Sequence, residues 1–302
     1  MTEGNVLVDL SRQLADVVET AQPWIVRVEA RRRHGASGIV WSADGLIVTA
    51  DHVVERDEEI TVGLGDGREL PARLIGRDQG VDLAVLKVEA SGLPAAQPSQ
   101  EPVKTGNVVL ALGRPYGSNA MASLGIVSAV GGHWRSWRGG SIEGVVRSDV
   151  TLYPGFSGGP LVDCDGRLIG VNSSILARGL AVAIPHAAIG TTVAALTSPG
   201  GAKRGYLGIA SQPVKIPEGL RQALGLQQQS GLLVLNVEPG SPAERAGFLL
   251  GDTLVSFAGQ PTTEPGALLE LLGPGSAGKE ETARVIRAGQ LAALSVQIGE
   301  RS

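Results

Sequence analysis

The stretch Leu152-Tyr153-Pro154-Gly155-Phe156-Ser157-Gly158-Gly159-Pro160-Leu161-Val162 decides how the chain is read. It sets a serine between glycines, on a tight turn after a proline, with an apolar run behind it. Such a turn exposes a hydroxyl and leaves backbone N–H groups unobstructed, as a nucleophile with an oxyanion hole requires. Taken alone, the segment also fits the Gly-x-Ser-x-Gly elbow of α/β-hydrolases. That elbow needs a helix after the serine, and an acid and a histidine later in the chain. Here Gly158, Gly159 and Pro160 oppose a helix, and Leu161-Val162 reads as the start of a strand. The partners of the serine are therefore to be sought upstream.

Upstream, Gly45-Leu46-Ile47-Val48-Thr49-Ala50-Asp51-His52-Val53-Val54 places a histidine just after a strand-like run. Gly80-Val81-Asp82-Leu83-Ala84-Val85-Leu86-Lys87-Val88 places an aspartate at the head of another. The order His, Asp, Ser is that of the chymotrypsin arrangement, not of the α/β-hydrolases or subtilisin. Each residue has a plainer reading: His52 as a core or capping histidine, Asp82 as a turn cap, Ser157 as a residue chosen for its small size. Three such coincidences in this order and these surroundings are harder to accept than one catalytic set.

Around them run short apolar segments: Trp24 to Val28, Ile39 to Trp41, Glu59 to Leu64, Leu70 to Ile75 and Leu83 to Val88. A second set covers Val108 to Leu112, Ser123 to Val130, Glu143 to Ser148, Leu161-Val162, Leu168 to Ser173 and Leu180 to Ile184. Gly-Asp-Gly and Gly-Arg-Asp turns separate many of them, the pattern of antiparallel barrels rather than of βαβ units. Two small barrels follow, with His52 and Asp82 on the first and Ser157 on the second. Val6, Leu7, Leu10, Leu14, Val17 and Val18 space an amphipathic helix ahead of them, and Ile189, Val193 and Leu196 mark a helix starting near His186.

This constellation resembles the HtrA/Deg family of serine proteases. The resemblance implies a mainly β chain: a chymotrypsin-like double six-stranded β-barrel followed by a PDZ domain. Its implied organisation is a protease domain over residues 1–198, a linker over 199–203 and a PDZ domain over 204–302. Ser157 is expected to attack the peptide carbonyl, His52 to shuttle the proton and Asp82 to fix the histidine tautomer, while the N–H groups of Gly155 and Ser157 form the oxyanion hole. A primary substrate pocket is expected near Thr151-Leu152, walled by Asn172-Ser173-Ser174 and by Leu180-Ala181-Val182-Ala183. Thr151 stands where trypsin has its pocket-floor aspartate, so cleavage is expected after small or medium aliphatic residues.

Two departures from the family pattern stand next to the triad. Phe156 precedes the serine where a small polar residue is usual, and Asp51 precedes the histidine where alanine or asparagine is usual. Asp51 would compete for the orienting role if its carboxylate turned to the imidazole. Leu152 to Phe156 is the candidate bistable element, through a peptide flip at Gly155-Phe156.

In the last third of the chain, Arg204, Tyr206, Leu207, Gly208 and Ile209 resemble the carboxylate-binding loop and first groove strand of a PDZ domain. Val237 to Phe248 and Gly251 to Val255 resemble its most recognisable internal run, and Pro265 to Leu272 would be the groove helix. The resemblance implies unfolded protein substrates, peptide C-termini as PDZ ligands and a homotrimer. The alternative is a catalytically silent, chaperone-like or peptide-binding protein, and a purely structural scaffold is a third reading.

Bulk properties set looser bounds. With 302 residues, 43% apolar, the chain is long enough for two or three domains, and its net charge of -4 gives no polyanion-binding signal. The run Arg31-Arg32-Arg33-His34 reads as a solvated hairpin tip rather than a nucleic-acid site. Cys164 is the single cysteine, so no intramolecular disulfide is possible. One cysteine and four dispersed histidines give no metal-ligand pattern, no dinucleotide fingerprint follows a strand, and neither cofactor nor metal is expected. No apolar stretch is long enough to span a bilayer, and the N-terminus carries no signal-peptide pattern. A cytoplasmic location is expected for the sequence as given, with the envelope as the alternative if the N-terminus had been trimmed.

Overall fold

The computed structural model describes residues 5–31, 34–117, 119–135, 141–177, 180–198, 205–273 and 275–300. It resolves into two compact units, the first ending at Ser198.

In the first unit, β1 (Ile25–Glu29), β2 (Ala36–Ser42), β3 (Leu46–Thr49), β4 (Ile60–Gly63), β5 (Glu69–Asp78) and β6 (Leu83–Val88) close into a barrel of order β1-β2-β3-β6-β5-β4. Closure leaves no open edge, so short strands suffice. Ile25, Ile39, Ile47, Val62, Leu83 and Leu86 are among its fully buried residues. With so few aromatics, β-branched and leucine side chains supply the core.

A second barrel follows, formed by β7 (Val108–Gly113), β8 (Met121–Val130), β11 (Val146–Ser148), β12 (Pro160–Val162), β13 (Leu168–Ser173) and β14 (Ala181–Pro185), in the order β11-β14-β13-β12-β7-β8. Between β8 and β11 lies a small hairpin of β9 (His133–Arg135) and β10 (Ser141–Glu143). The sequence predicts one strand from Glu143 to Ser148, but Gly144 adopts a φ of 71° and splits it, sending β10 to the hairpin and β11 to the barrel.

Two helices flank the barrels. α1 (Val6–Ala21) begins at Asn5, whose side chain accepts from the Leu7 N–H. Its C-terminal half buries Val17 and Ala21, while Val6, Leu7 and Leu10 remain 76%, 75% and 49% exposed. α2 (His186–Thr197) buries Ile189, Val193 and Leu196, as their spacing predicts. It returns the chain from the second barrel to the first, where Leu196 packs against Gly76 of β5 so that an added Cβ would lie 3.0 Å from Leu196 Cδ2.

The second unit begins, among the described residues, with β15 (Gly205–Tyr206), paired to β22 (Gly299–Glu300). Its main sheet runs β16 (Ile209–Lys215), β17 (Ser230–Val237), β18 (Thr253–Phe257), β20 (Glu280–Arg287) and β21 (Gln290–Gln297), with β19 (Gln260–Pro261) on β18. Helices α3 (Glu218–Ala223), α4 (Pro242–Arg245) and α5 (Pro265–Leu271) complete it. Leu207, Leu232, Phe248, Leu254, Phe257, Leu268 and Val285 form a separate core. A buried carboxylate, Asp252, holds Arg287 of β20 through two contacts of 2.7 and 2.8 Å.

Candidate active site and peptide groove

His52 sits in a short 3-10 turn, Asp51–Val53, just beyond β3. Its Nδ1 lies 2.9 Å from Oδ2 and 3.0 Å from Oδ1 of Asp82, and its backbone N–H donates to Asp82 Oδ1 at 3.0 Å. Asp82 is fully buried and holds a left-handed φ of 58°. Few residues other than glycine adopt that conformation without a compensating environment. The compensation is local: Asp78 Oδ1 accepts from the N–H groups of Gly80 and Val81, fixing the turn that delivers Asp82. Ser173 of β13 donates its hydroxyl to Asp82 Oδ2 at 2.5 Å. The carboxylate thus receives bonds from both barrels. An acid held in this way fixes the imidazole with its Nε2 directed away from the acid.

Asp51 does not compete for the imidazole. Its carboxylate pairs with Arg77 Nε at 2.5 Å, and the same guanidinium donates to the carbonyls of Asp51 and Val54. The extra negative charge beside His52 is neutralised, and the turn carrying the histidine is braced from β5.

Ser157 follows a turn from Tyr153 to Phe156, closed by the Phe156 N–H donating to the Tyr153 carbonyl at 2.9 Å. Pro154 and Gly155, with a φ of 87° at Gly155, fit the two central positions of a type II turn. A side chain at Gly155 would meet Pro115 Cβ at 2.4 Å and the Gly35 carbonyl at 2.8 Å. Among the hydrogen bonds of the described residues, the N–H groups of Gly155 and Ser157 take no partner. The hydroxyl of Ser157 lies 2.9 Å from Ser174 Oγ and accepts from the Ser174 N–H at 3.3 Å. No hydrogen bond links it to His52 among the described residues.

Phe156 directs its ring inward. It is fully buried in the second barrel's core, edge-on to Tyr153 at 5.4 Å. Burying such a ring contributes about 2 to 3 kcal/mol. The departure before the serine therefore anchors the turn instead of crowding the solvent side. The predicted flip at Gly155-Phe156 meets resistance for the same reason, and because the Gly155 carbonyl accepts from Ser37 Oγ at 2.7 Å.

Of the pocket residues, β13 and β14 pair Asn172 with Ala183 and Ser173 with Val182. Ala181 and Ala183 belong to the same core as Phe156, with Leu152 packed against it. Thr151, Ser174 and Leu180 are exposed. Asn172 is 1% exposed, and its side-chain N and O lack hydrogen-bond partners among the described residues. Cys164 is exposed, and partial desolvation of its thiol together with the charges of Asp163 and Asp165 pushes its pKa up, the reverse of an activated nucleophile.

In the second unit, Leu207 and Gly208 connect β15 to β16. The Leu207 carbonyl accepts from the Ala243 N–H and the Gly208 carbonyl from the Glu238 N–H, each at 2.8 Å. Their own N–H groups take no partner among the described residues. Gly208 has a φ of 82° and abuts Ser241 so closely that no side chain fits. Tyr206 donates its hydroxyl to Glu238. β16 lies at the end of the sheet order, with α5 beside it. Arg204, predicted for this site, and the predicted linker 199–203 lie outside the described residues.

Sequence reasoning missed Ser37, Arg77 and the His133–Glu143 pair, whose atoms approach to 2.6 Å across the β9–β10 hairpin. Arg77 carried only a weak signal, one of two arginines in the strand before Asp82, next to an aspartate at its end. Ser37 carried none.

A closed barrel pair with a buried His–Asp couple and a serine on a glycine turn defines a chymotrypsin-like serine peptidase fold, joined to a PDZ fold. Residues 36–171 match the trypsin-like peptidase domain family and residues 233–287 the PDZ domain family. The chain belongs to the HtrA-type serine endoproteases. A serine endoprotease from Yersinia pestis superposes with a TM-score of 0.70 at 31% identity, covering 95% of this chain and 98% of that one. The HtrA-type protease AlgW with a tripeptide gives 0.67 at 31% identity, covering 95% and 97%.

A probable periplasmic DegP-like serine endoprotease from Halomonas elongata is 38% identical over 275 residues, 89% of this chain and 57% of the relative. Its counterpart from Hahella chejuensis is 39% identical over 270 residues, 87% and 56%. The chain thus spans a little over half the length of these curated relatives. Their periplasmic designation overturns the cytoplasmic expectation and points to the cell envelope. The expectation rested on the residues with which the given sequence begins, and the relatives' designation outweighs it.

Proposed function

We propose that this chain is a periplasmic serine endopeptidase that hydrolyses peptide bonds in unfolded or damaged proteins, with Ser157, His52 and Asp82 as its triad. The observation that carries this reading is the buried Asp82 carboxylate held against His52 Nδ1 at 2.9 Å beside a serine whose turn leaves two N–H groups unengaged. Ser157 Oγ leaves Ser174 for His52 as substrate enters, the tightening expected on passing from a free site to a complex. Its proton passes to His52 Nε2 as Oγ bonds to the carbonyl carbon, and the oxyanion is received by the N–H groups of Gly155 and Ser157. Collapse breaks the C–N bond and the imidazolium returns the proton to the leaving amine. Water then repeats the sequence on the acyl-enzyme.

The pocket reading places Thr151, Leu152, Asn172, Ser173, Ser174 and Leu180 to Ala183 around the substrate side chain N-terminal to the cut. The small side chains of Ala181 and Ala183 and the absence of an acid at Thr151 favour valine, alanine and leucine over lysine or arginine. A peptide ending in a free carboxylate adds as a strand along β16, its carboxylate meeting the Leu207 and Gly208 N–H groups and its apolar side chain lying toward α5. The protease and PDZ domains are assigned to residues 1–198 and 204–302, joined by 199–203. The exposed apolar half of α1 supports assembly through the protease domain, as a homotrimer.

Casein digestion by the full chain and by Ser157→Ala tests the reading. Fragments ending in aliphatic residues are expected from the first and none from the second. Equal digestion by both would overturn it, and cuts dominated by lysine or arginine would overturn the pocket assignment.

A further inference from the structure

Ser37 lies in β2, fully buried, on the first barrel, yet most of its hydrogen bonds reach elsewhere. Its hydroxyl donates to the Gly155 carbonyl at 2.7 Å and accepts from the Arg114 N–H at 2.8 Å. Its own N–H donates to the Ser157 carbonyl at 3.3 Å, and its carbonyl accepts from Thr49 Oγ1 at 2.7 Å. Thr49 ends the strand that leads to His52. One buried residue therefore touches the oxyanion turn, the nucleophile's backbone and the strand bearing the histidine.

The two N–H groups without partners belong to Gly155 and Ser157, two residues apart, and their convergence depends on the torsions between them. Ser37 holds the carbonyl at each end of that span. Rotating the Gly155-Phe156 peptide would strand the Gly155 carbonyl and the Phe156 N–H, and unpaired buried groups of this kind cost about 1 to 3 kcal/mol each. Gly113, Gly158 and Gly159 pack against Ser37, and a side chain on Gly158 would collide with the Ser37 carbonyl at 2.1 Å.

We propose that Ser37 is a positioning residue for the oxyanion donors, pinning the carbonyls of Gly155 and Ser157 so that the N–H groups of the same two residues point to one place. The proposal rests on the oxyanion assignment above. It assigns the Ser37 hydroxyl a part in transition-state binding that is not shared with ground-state binding.

The test compares Ser37→Ala and Ser37→Cys with the unaltered full chain, using a short chromogenic peptide and a peptide aldehyde whose hemiacetal oxygen enters the oxyanion hole. Ser37→Ala is expected to lower kcat about tenfold or more, short of the roughly 100-fold or larger loss from deleting an oxyanion donor outright. KM should stay within about twofold, and aldehyde affinity should fall by the same factor as kcat. Ser37→Cys keeps a weak donor and should fall between the two. If Ser37→Ala does not fold, the cysteine variant carries the same comparison. Unchanged kcat and aldehyde affinity in a folded variant would overturn the proposal, as would a rise in KM with aldehyde affinity preserved. Activity surviving in Ser157→Ala would instead overturn the triad, so the two failures are distinguishable.

Discussion

In the first barrel, His52 and Asp82 are already joined, with the acid buried and the histidine's turn braced by Arg77. In the second barrel, Ser157 rests against Ser174, and its turn is fixed by a side chain from the first, Ser37. The first barrel carries a joined pair that also takes a bond from Ser173, whereas the second carries a serine whose turn is held by Ser37. The difference teaches that the reactive geometry is a property of barrel docking. Damage to the second barrel's turn should therefore disable catalysis while leaving the first barrel's pair in place.

The largest expected effect comes from the triad itself. Ser157→Ala, His52→Ala and Asp82→Asn should each lower kcat/KM on the order of 10^4-fold or more, and double variants should lose little beyond the worst single one. Additive losses in peptide turnover would break the idea that the barrels complete one site.

Gly155→Ala comes next. The new methyl meets Pro115 at 2.4 Å and forces a φ of 87° on a residue with a side chain, so the turn must rearrange. Turnover should fall about 100-fold or more, while the low-field proton resonance of a hydrogen-bonded His52 persists. Loss of that resonance together with activity would show that the two barrels are not separable in this way.

The PDZ unit extends the comparison to a region with its own buried acid. Burial alone would raise the pKa of Asp252, but the Arg287 hydrogen bond, the Leu249 N–H and the guanidinium charge outweigh it and hold the carboxyl below its ordinary value. A depressed folded-state pKa gives stability that is present above the unfolded value near about pH 4 and lost as pH falls through the folded one. Asp252→Asn should cost about 1.5 to 3 kcal/mol at neutral pH and flatten the acid-side decline. Hydrogen exchange of β18 and β20 amides in the full chain reads this, with the barrel amides as the unaffected control.

Asp51→Asn should have the smallest catalytic effect, a loss of less than about tenfold, because its carboxylate faces Arg77 and not the imidazole. An effect equal to that of Asp82→Asn, at unchanged stability, would reassign the orienting acid.

Much of this architecture was legible in the residues. The strands of both barrels follow from apolar runs between glycine turns, and the order of His52, Asp82 and Ser157 separated one hydrolase fold from another. The groove loop and α5 were equally visible, because Gly208 and Pro265 mark positions where backbone geometry restricts the residue type. What the sequence did not reveal depends on contacts across the fold. Ser37 is an ordinary serine in a strand until β2 is laid beside the Gly155 turn, more than a hundred residues later in the chain. Phe156 stood out only as a departure from a small polar residue, since one residue of turn conformation decides which way its ring points. Gly144, hidden inside an apolar run, split the predicted strand.

Mapping of a fluorophosphonate adduct tests most directly the claim that the two barrels jointly activate one serine. The unaltered chain should take a single label, on the peptide containing Ser157, and His52→Ala, altered only in the first barrel, should lose nearly all of it at unchanged stability. Equal labelling of Ser157 in His52→Ala, or a label on any other residue, would contradict the account.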